Sequence, residues 1–187
     1  MNIVVTGFEP FGGENTNASW EAVKGLQGVQ TILLPVSFRR AAAMIREIIS
    51  SGPDAVICVG EAGGRSKISL ERVAVNLMDA RIPDNDGFQP KDIKIREDGP
   101  AACFSGLPTR MMAEAMENAE LSYTAGTYVC NAVFSTLMDA VNDTIPAGFI
   151  HVPKTMETSS VAQELRAAVQ ITAEAASASG KGPYREL

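Results

Sequence analysis

The chain has 187 residues, 45% of them hydrophobic and 20% charged, and a net charge of −6. That is enough length for one α/β domain spanning 1–187 and too little for two of ordinary size. The acidic balance and the lack of any basic cluster exclude the field that holds a phosphate backbone, so no nucleic acid partner is expected.

Met1 leads directly into Asn2-Ile-Val-Val-Thr6 with no charged leader, and no apolar run approaches a membrane span. The expectation is a cytoplasmic protein without membrane contact. Asn2 to Thr6 is a β-branched run delivering the chain into the loop Gly7-Phe8-Glu9-Pro10-Phe11-Gly12-Gly13. Asn17 or Ser19 can cap a helix through about Leu26, and Val29 to Leu34 reads as a second strand stopped by Pro35. From Phe38 to Ser50, Ala41, Met44, Ile45, Ile48 and Ile49 recur at helical spacing, an amphipathic helix that covers a sheet. Ala55-Val-Ile-Cys-Val59 is a continuous apolar run, as in a parallel strand buried on both faces, which places Cys58 in the core.

Glu71 to Leu77 alternates like a strand and runs into a loop, Arg81 to Pro90, crowded with Pro, Asp, Asn and Gly. Helices are expected over Thr109 to Ala119 and Cys130 to Asn142, with Ala147 to Val152 as the last strand. A final helix from about Ser160, with Ser160 and Gln163 as a capping box, ends at Gly180-Lys-Gly-Pro183. This alternation predicts a three-layer α/β/α sandwich around a twisted, mainly parallel open sheet, in which ligands bind beyond the carboxyl ends of the strands.

Cys58, Cys103 and Cys130 form an odd set with irregular spacing, suited neither to a disulfide framework nor to a CxxC metal site. The lone histidine, His151, excludes a metal site with two imidazoles, and no metal or cofactor is expected. Thr124-Ala-Gly-Thr-Tyr-Val-Cys130 puts a thiol where a glycine-containing loop enters a helix, whose positive end favours thiolate. Such a cysteine is either a small buried hydrophobe or a nucleophile. His151, on a strand, can take the thiol proton, and Glu71 can orient that imidazole as the third member of a triad or simply face water. Phe8 and Phe11 either fill a core or line a pocket for a flat, uncharged group. Gly60-Glu-Ala-Gly-Gly-Arg65 lacks the order of both common glycine-rich phosphate loops.

Together with Glu71-Arg-Val-Ala-Val-Asn76, Asp79-Ala-Arg-Ile-Pro-Asp-Asn-Asp86 and Gly148-Phe-Ile-His-Val-Pro153, these segments resemble the pyroglutamyl peptidase I family of C15 cysteine peptidases over nearly the whole chain. The resemblance implies that Cys130 is the nucleophile, His151 the general base and then acid, and Glu71 the residue that orients it. It implies that the Cys130 N–H and Arg81 face the oxyanion, and that Phe8, Phe11, Ile82, Tyr128 and Val129 enclose a pyrrolidone ring, with Asn17 and Glu61 nearby. The substrates it implies are N-terminally pyroglutamylated peptides, and the assembly a homo-oligomer, tetramer or dimer.

The stretches from Trp20 to Pro35 and from Cys130 to His151 are shorter than usual for the family, and Ala18, Ala132 and Lys154-Thr-Met-Glu157 depart from its pattern. Two other readings stay open on this basis: a pyroglutamate-binding module with a misaligned triad, and a thiol amidase for another small lactam or amide.

Overall fold

The computed structural model describes residues 1–178. Its strands and helices are, in order, β1 (Ile3–Phe8), α1 (Ala18–Val23), β2 (Gln30–Leu34), α2 (Phe38–Ser50), β3 (Ala55–Ala62), β4 (Ile68–Glu71), β5 (Val73–Val75), β6 (Ala102–Phe104), α3 (Thr109–Ala115), β7 (Ala119–Ser122), α4 (Val129–Val141), β8 (Ala147–Pro153) and α5 (Thr158–Ala178). Six strands form one sheet in the order β2-β1-β3-β8-β4-β7, and β5 and β6 pair separately.

The sheet is mainly parallel, as the alternation of elements predicts. β2, β1, β3 and β8 run together, and β4 pairs antiparallel with β8. The physical reason lies in the connection. Only residues 63–67 separate β3 from β4, too few for the crossover that a parallel return needs, so the chain turns back on itself. β7 then follows β4 in parallel at the edge.

Strand periodicity sorts the core into two layers. Val4, Phe8, Val56, Cys58, Ala147 and Phe149 face α2 and α4. Ile3, Val5, Ile57, Val59, Leu70, Ile150 and Val152 pack on the opposite side with residues of α1, α3 and α5. The α2 prediction holds at both ends, and its Ser37 cap accepts from the Arg40 N–H at 3.1 Å. Asn17 caps α1 by accepting from the Ser19 N–H at 3.0 Å.

Four expectations are corrected. The single strand from Glu71 to Leu77 is two strands in different sheets, broken at Arg72, whose N–H donates to Ser122 and whose carbonyl accepts from Ser105. Glu71 thus ends a buried strand instead of standing at the mouth of one. The helix from Thr109 stops at Ala115, because Ala119 already pairs with Ile68 in β7. α5 starts at Thr158, with the Val161 N–H donating to the Glu157 carbonyl, which puts Ser160 in the first turn instead of at the cap. Finally, the helix from Cys130, whose apolar residues Val133, Phe134, Leu137, Met138 and Val141 predict burial on one side, is buried well beyond one face, including Asn131, Ser135 and Thr136, since β5 and β6 cover its outer side. The Gly180 to Pro183 stop lies outside the described residues.

Gly7 carries one close packing constraint. A Cβ there would lie 2.9 Å from the Trp20 backbone N and Cα, atoms that cannot rotate aside. Gly7→Ala is therefore expected to push α1 off β1 and destabilise the protein by about 1–3 kcal/mol, measured as a lowered urea midpoint at unchanged m-value.

Candidate active site

The carboxyl ends of β1, β3 and β8 converge, and their α4-facing residues are Phe8, Gly60 and His151. His151 pairs with Gly60 on one side and Ser69 on the other, and Glu71 pairs with Phe149. Because alternate residues share a face, Glu71 and His151 are diagonal neighbours on one side of the sheet. Their side chains meet: His151 Nδ1 lies 2.8 Å from Glu71 Oε1. Glu71 has 0% exposure and His151 5%. An ionised carboxylate only accepts, so this contact places the hydrogen on Nδ1 and leaves Nε2 as the free basic nitrogen.

Cys130 reaches the same place from α4. Its helix begins at Val129 after Tyr128, and the first helical N–H bonded to a helical carbonyl belongs to Ala132. The N–H groups of Val129, Cys130 and Asn131 precede it at the helix start, where that of Cys130 bears on its own thiol. Gly60 lets the thiol approach the sheet, since a Cβ at that position would sit 2.9 Å from Cys130 Sγ and 2.8 Å from Phe149 Cζ. Asn131 holds the start of α4 in place: its Oδ1 accepts from the Val75 N–H at 3.0 Å, and its Nδ2 donates to the Val75 and Leu77 carbonyls.

A cavity of about 130 Å³ is lined by Phe8, Phe11, Asn17, Val36, Glu61, Ala125, Tyr128, Val129, Cys130 and His151. The expected pair of phenylalanines, Tyr128 and Val129 thus do share one wall with the thiol and the imidazole. Asn17 and Glu61 also line it, with polar groups engaged in holding α1: Glu61 Oε2 accepts from the Ala18 N–H at 2.7 Å, and Asn17 Nδ2 donates to the Glu9 carbonyl at 3.1 Å. Arg81 and Ile82 lie outside this lining on an exposed loop, Ile82 at 46% exposure.

That loop is nonetheless fastened to the cavity. The Tyr128 hydroxyl donates to the Pro83 carbonyl at 2.9 Å, and Asn85 Nδ2 bridges Glu9 Oε1 and the Pro10 carbonyl, each at 2.9 Å. Asp84, which the sequence reading treats only as a loop residue, is buried and accepts from the Phe38 N–H that opens α2.

The electrostatics reverse one expectation. The helix start was expected to favour thiolate, yet the Cys130 thiol is pushed up to about 12, first by burial, then by the Glu71 charge and by Cys58, with Arg65 and its own N–H opposing. Desolvation outweighs the partial charge of a helix end.

Arg65 is the residue that the sequence reading passed over. Its Nη1 donates to Glu71 Oε1 at 2.5 Å and to Ser122 Oγ at 3.3 Å, and its Nη2 to the Thr124 carbonyl at 2.8 Å. The available signal was an arginine closing a glycine-rich loop just before a strand that ends in a glutamate. Among the described residues, no group of acidic, histidine or cysteine side chains is arranged to hold a metal ion, and no helix is long and apolar enough to cross a membrane.

With this geometry in view, the comparisons decide the family. The model of the pyroglutamyl peptidase family, C15, matches residues 1–178. The chain belongs to the pyroglutamyl peptidase family. Membership makes it a cysteine-type hydrolase. It is 49% identical over 166 residues to the pyrrolidone-carboxylate peptidase of Bacillus subtilis, covering 81% of this chain and 77% of that one. Its counterpart in Thermosipho melanesiensis is 50% identical over 167 residues, covering 82% and 83%. The crystal structure of pyroglutamyl peptidase I from Bacillus amyloliquefaciens superposes with a TM-score of 0.88 at 41% identity, covering 92% of this chain and 94% of that one.

Burial also pushes the Cys58 thiol up to about 12, against an ordinary thiol near ~8.5. A raised acid favours its neutral form in the native state, so the contribution is complete below the unfolded value and is lost as pH rises toward 12. Urea midpoints measured at stepped pH are expected to fall across that window, and the slope to flatten in Cys58→Ala.

Proposed function

We propose that this protein removes an N-terminal pyroglutamyl residue from peptides, with Cys130 as nucleophile, His151 as general base and acid, and Glu71 as its orienting carboxylate. The observation that carries the reading is that Cys130 and His151 line one largely apolar cavity while a buried carboxylate holds the far side of the imidazole.

A pyrrolidone ring is flat and uncharged, and Phe8, Phe11, Val36, Ala125, Tyr128 and Val129 offer it apolar walls. An ordinary N-terminus would have to shed the hydration of its ammonium to enter, a cost the lactam does not bear. With burial holding the thiol's pKa up, His151 Nε2 takes its proton as Sγ bonds to the carbonyl carbon joining pyroglutamate to the next residue. The carbonyl π electrons move to oxygen, giving a tetrahedral oxyanion. The Cys130 N–H at the start of α4 is a suitable donor to it, and Arg81 can join from the adjoining loop; each such donor contributes about 3 kcal/mol at a typical oxyanion site. Collapse breaks the C–N bond as His151 returns its proton to the leaving amine, leaving a thioester. His151 then takes a proton from water as the hydroxyl attacks, and hands it back to sulfur as pyroglutamate leaves.

Homo-oligomer formation, as tetramer or dimer, belongs to the same proposal. Phe104 at 70% and Tyr123 at 62% exposure supply apolar surface for it, and light scattering on a sizing column measures it. The free state of all three cysteines suits a reducing, cytoplasmic setting.

Purified protein in reducing buffer is expected to release a fluorophore from a pyroglutamyl amide and to leave prolyl and glutaminyl amides intact. Cys130→Ser and His151→Ala are expected to abolish turnover; parent activity no higher than that of Cys130→Ser overturns the reading. Gly60→Ala, whose Cβ would meet Sγ, is expected to lower kcat by about 10²-fold through misplacement of the nucleophile, measured in the same assay.

A further inference from the structure

We infer that Arg65 is a positioning residue for the catalytic triad: its guanidinium balances the buried Glu71 carboxylate and ties it to the loop that leads into the nucleophile helix. The inference rests on the triad reading above.

Glu71 presents an unusual problem for a carboxylate. It is fully buried, Oε1 receives both His151 and Arg65, and Oε2 is buried with no hydrogen-bond partner. A carboxylate so desolvated keeps its charge only beside a compensating cation; otherwise it takes up a proton. A protonated Glu71 no longer fixes the hydrogen on His151 Nδ1, and Nε2 ceases to be the defined basic nitrogen. Arginine suits this task because it stays charged throughout the range in which imidazole titrates, and its side chain is 26% exposed, so its own desolvation is partial.

The guanidinium does a second thing that a point charge could not. Its planar fork reaches Glu71 and Ser122 with one nitrogen and the Thr124 carbonyl with the other. Thr124 begins the loop that runs through Gly126, at φ +76°, to Tyr128 and Cys130. Arg65 thereby joins the end of β3, the end of β4 and the approach to α4, so the distance between carboxylate and nucleophile is set through one side chain.

The charged and titratable groups around this carboxylate are His151 from β8, Arg65 from the β3–β4 loop and Cys130 from α4, and Glu61 of β3 lines the same cavity as His151 with its Oε2 on the Ala18 N–H. Cys58 of β3 lies near the thiol, while Tyr128 and Asp84 stand on the outer side of the cavity. Arg72 follows Glu71 in sequence and directs its Nη1 to Thr109. Removing the Arg65 charge acts in one direction on all three triad members. With one positive charge fewer beside it, the Glu71–His151 pair holds an added proton more tightly whichever member carries it, and the thiol loses its cation. The acid limb of kcat/KM must therefore move up.

For Arg65→Met the expected result is kcat lower by about 10²-fold, KM within about threefold of the parent because Arg65 does not line the cavity, and an acid limb raised by about one pH unit. Arg65→Gln, which keeps donors but no charge, is expected to show the same rise. Arg65→Lys restores the limb and only part of kcat, since an ammonium cannot span both acceptors. The pH dependence of Cys130 alkylation by iodoacetamide, followed by peptide mapping, reports the same limb without turnover, so failure on pyroglutamyl amides remains distinguishable from failure here. A folded Arg65→Gln whose alkylation and rate profiles coincide with the parent overturns the inference, whether or not Arg65→Met folds; so does an Arg65→Lys limb as displaced as that of Arg65→Gln.

Discussion

A fully buried carboxylate at the end of a strand is the constraint around which the rest of this site is arranged. Glu71 closes β4 between Phe149 and Ser122, with an imidazole on one side of its carboxylate and a guanidinium on the other. Burial strengthens both contacts by lowering the local dielectric, and it makes the loss of either partner costly. The imidazole that emerges is held in one tautomer, pointing a single basic nitrogen toward the cavity. Catalytic order here is a consequence of desolvation.

The antiparallel run of β4 makes that placement possible. In an all-parallel sheet the strand after the 63–67 turn would need a long crossover before returning to the sheet. The short turn instead sends β4 back alongside β8, so that a residue near its end lies diagonal to His151. The loops then lock to one another. Asn85 bonds Glu9 and Pro10, Tyr128 bonds Pro83, and Thr127 Oγ1 bonds the Asp79 carbonyl at 2.8 Å. Three chain segments distant in sequence thus meet around one small volume, through polar contacts at its rim and aromatic contacts within. Phe149 packs against both Phe8 and Phe134, and lies 4.9 Å from the His151 ring centroid.

The same dryness that suits a neutral lactam sets the state of the thiol. A site built to hold an uncharged ring excludes water, and a thiol within it resists ionisation even at a helix start. In the proposed mechanism proton transfer accompanies attack, which places the burden on the orientation of His151 and, through it, on Glu71. Substrate fit, nucleophile protonation and the buried carboxylate are three faces of one low-dielectric compartment.

Much of this was legible from residues alone. The alternation of strands and helices, the limits of α2 and the buried position of Cys58 follow from local patterns, because periodicity and punctuation report burial and turns directly, whereas Tyr128 and Val129 joined Phe8 and Phe11 only through the resemblance to the family. The singular histidine and the cysteine at a helix start narrowed the chemistry to one pair. Other features depended on segments meeting in space. Glu71 read as the opening of a strand because its pairing partners, Phe149 and Ser122, lie far along the chain. Arg65 offered only its place in a glycine-rich loop ahead of Glu71, because its other acceptors, Ser122 and Thr124, lie far along the chain. The thiol could be located by sequence, while its protonation state depends on desolvation summed over surrounding elements. Residue type and order determined which groups could react; only the tertiary structure decided how dry their surroundings are, and therefore which of them carry charge.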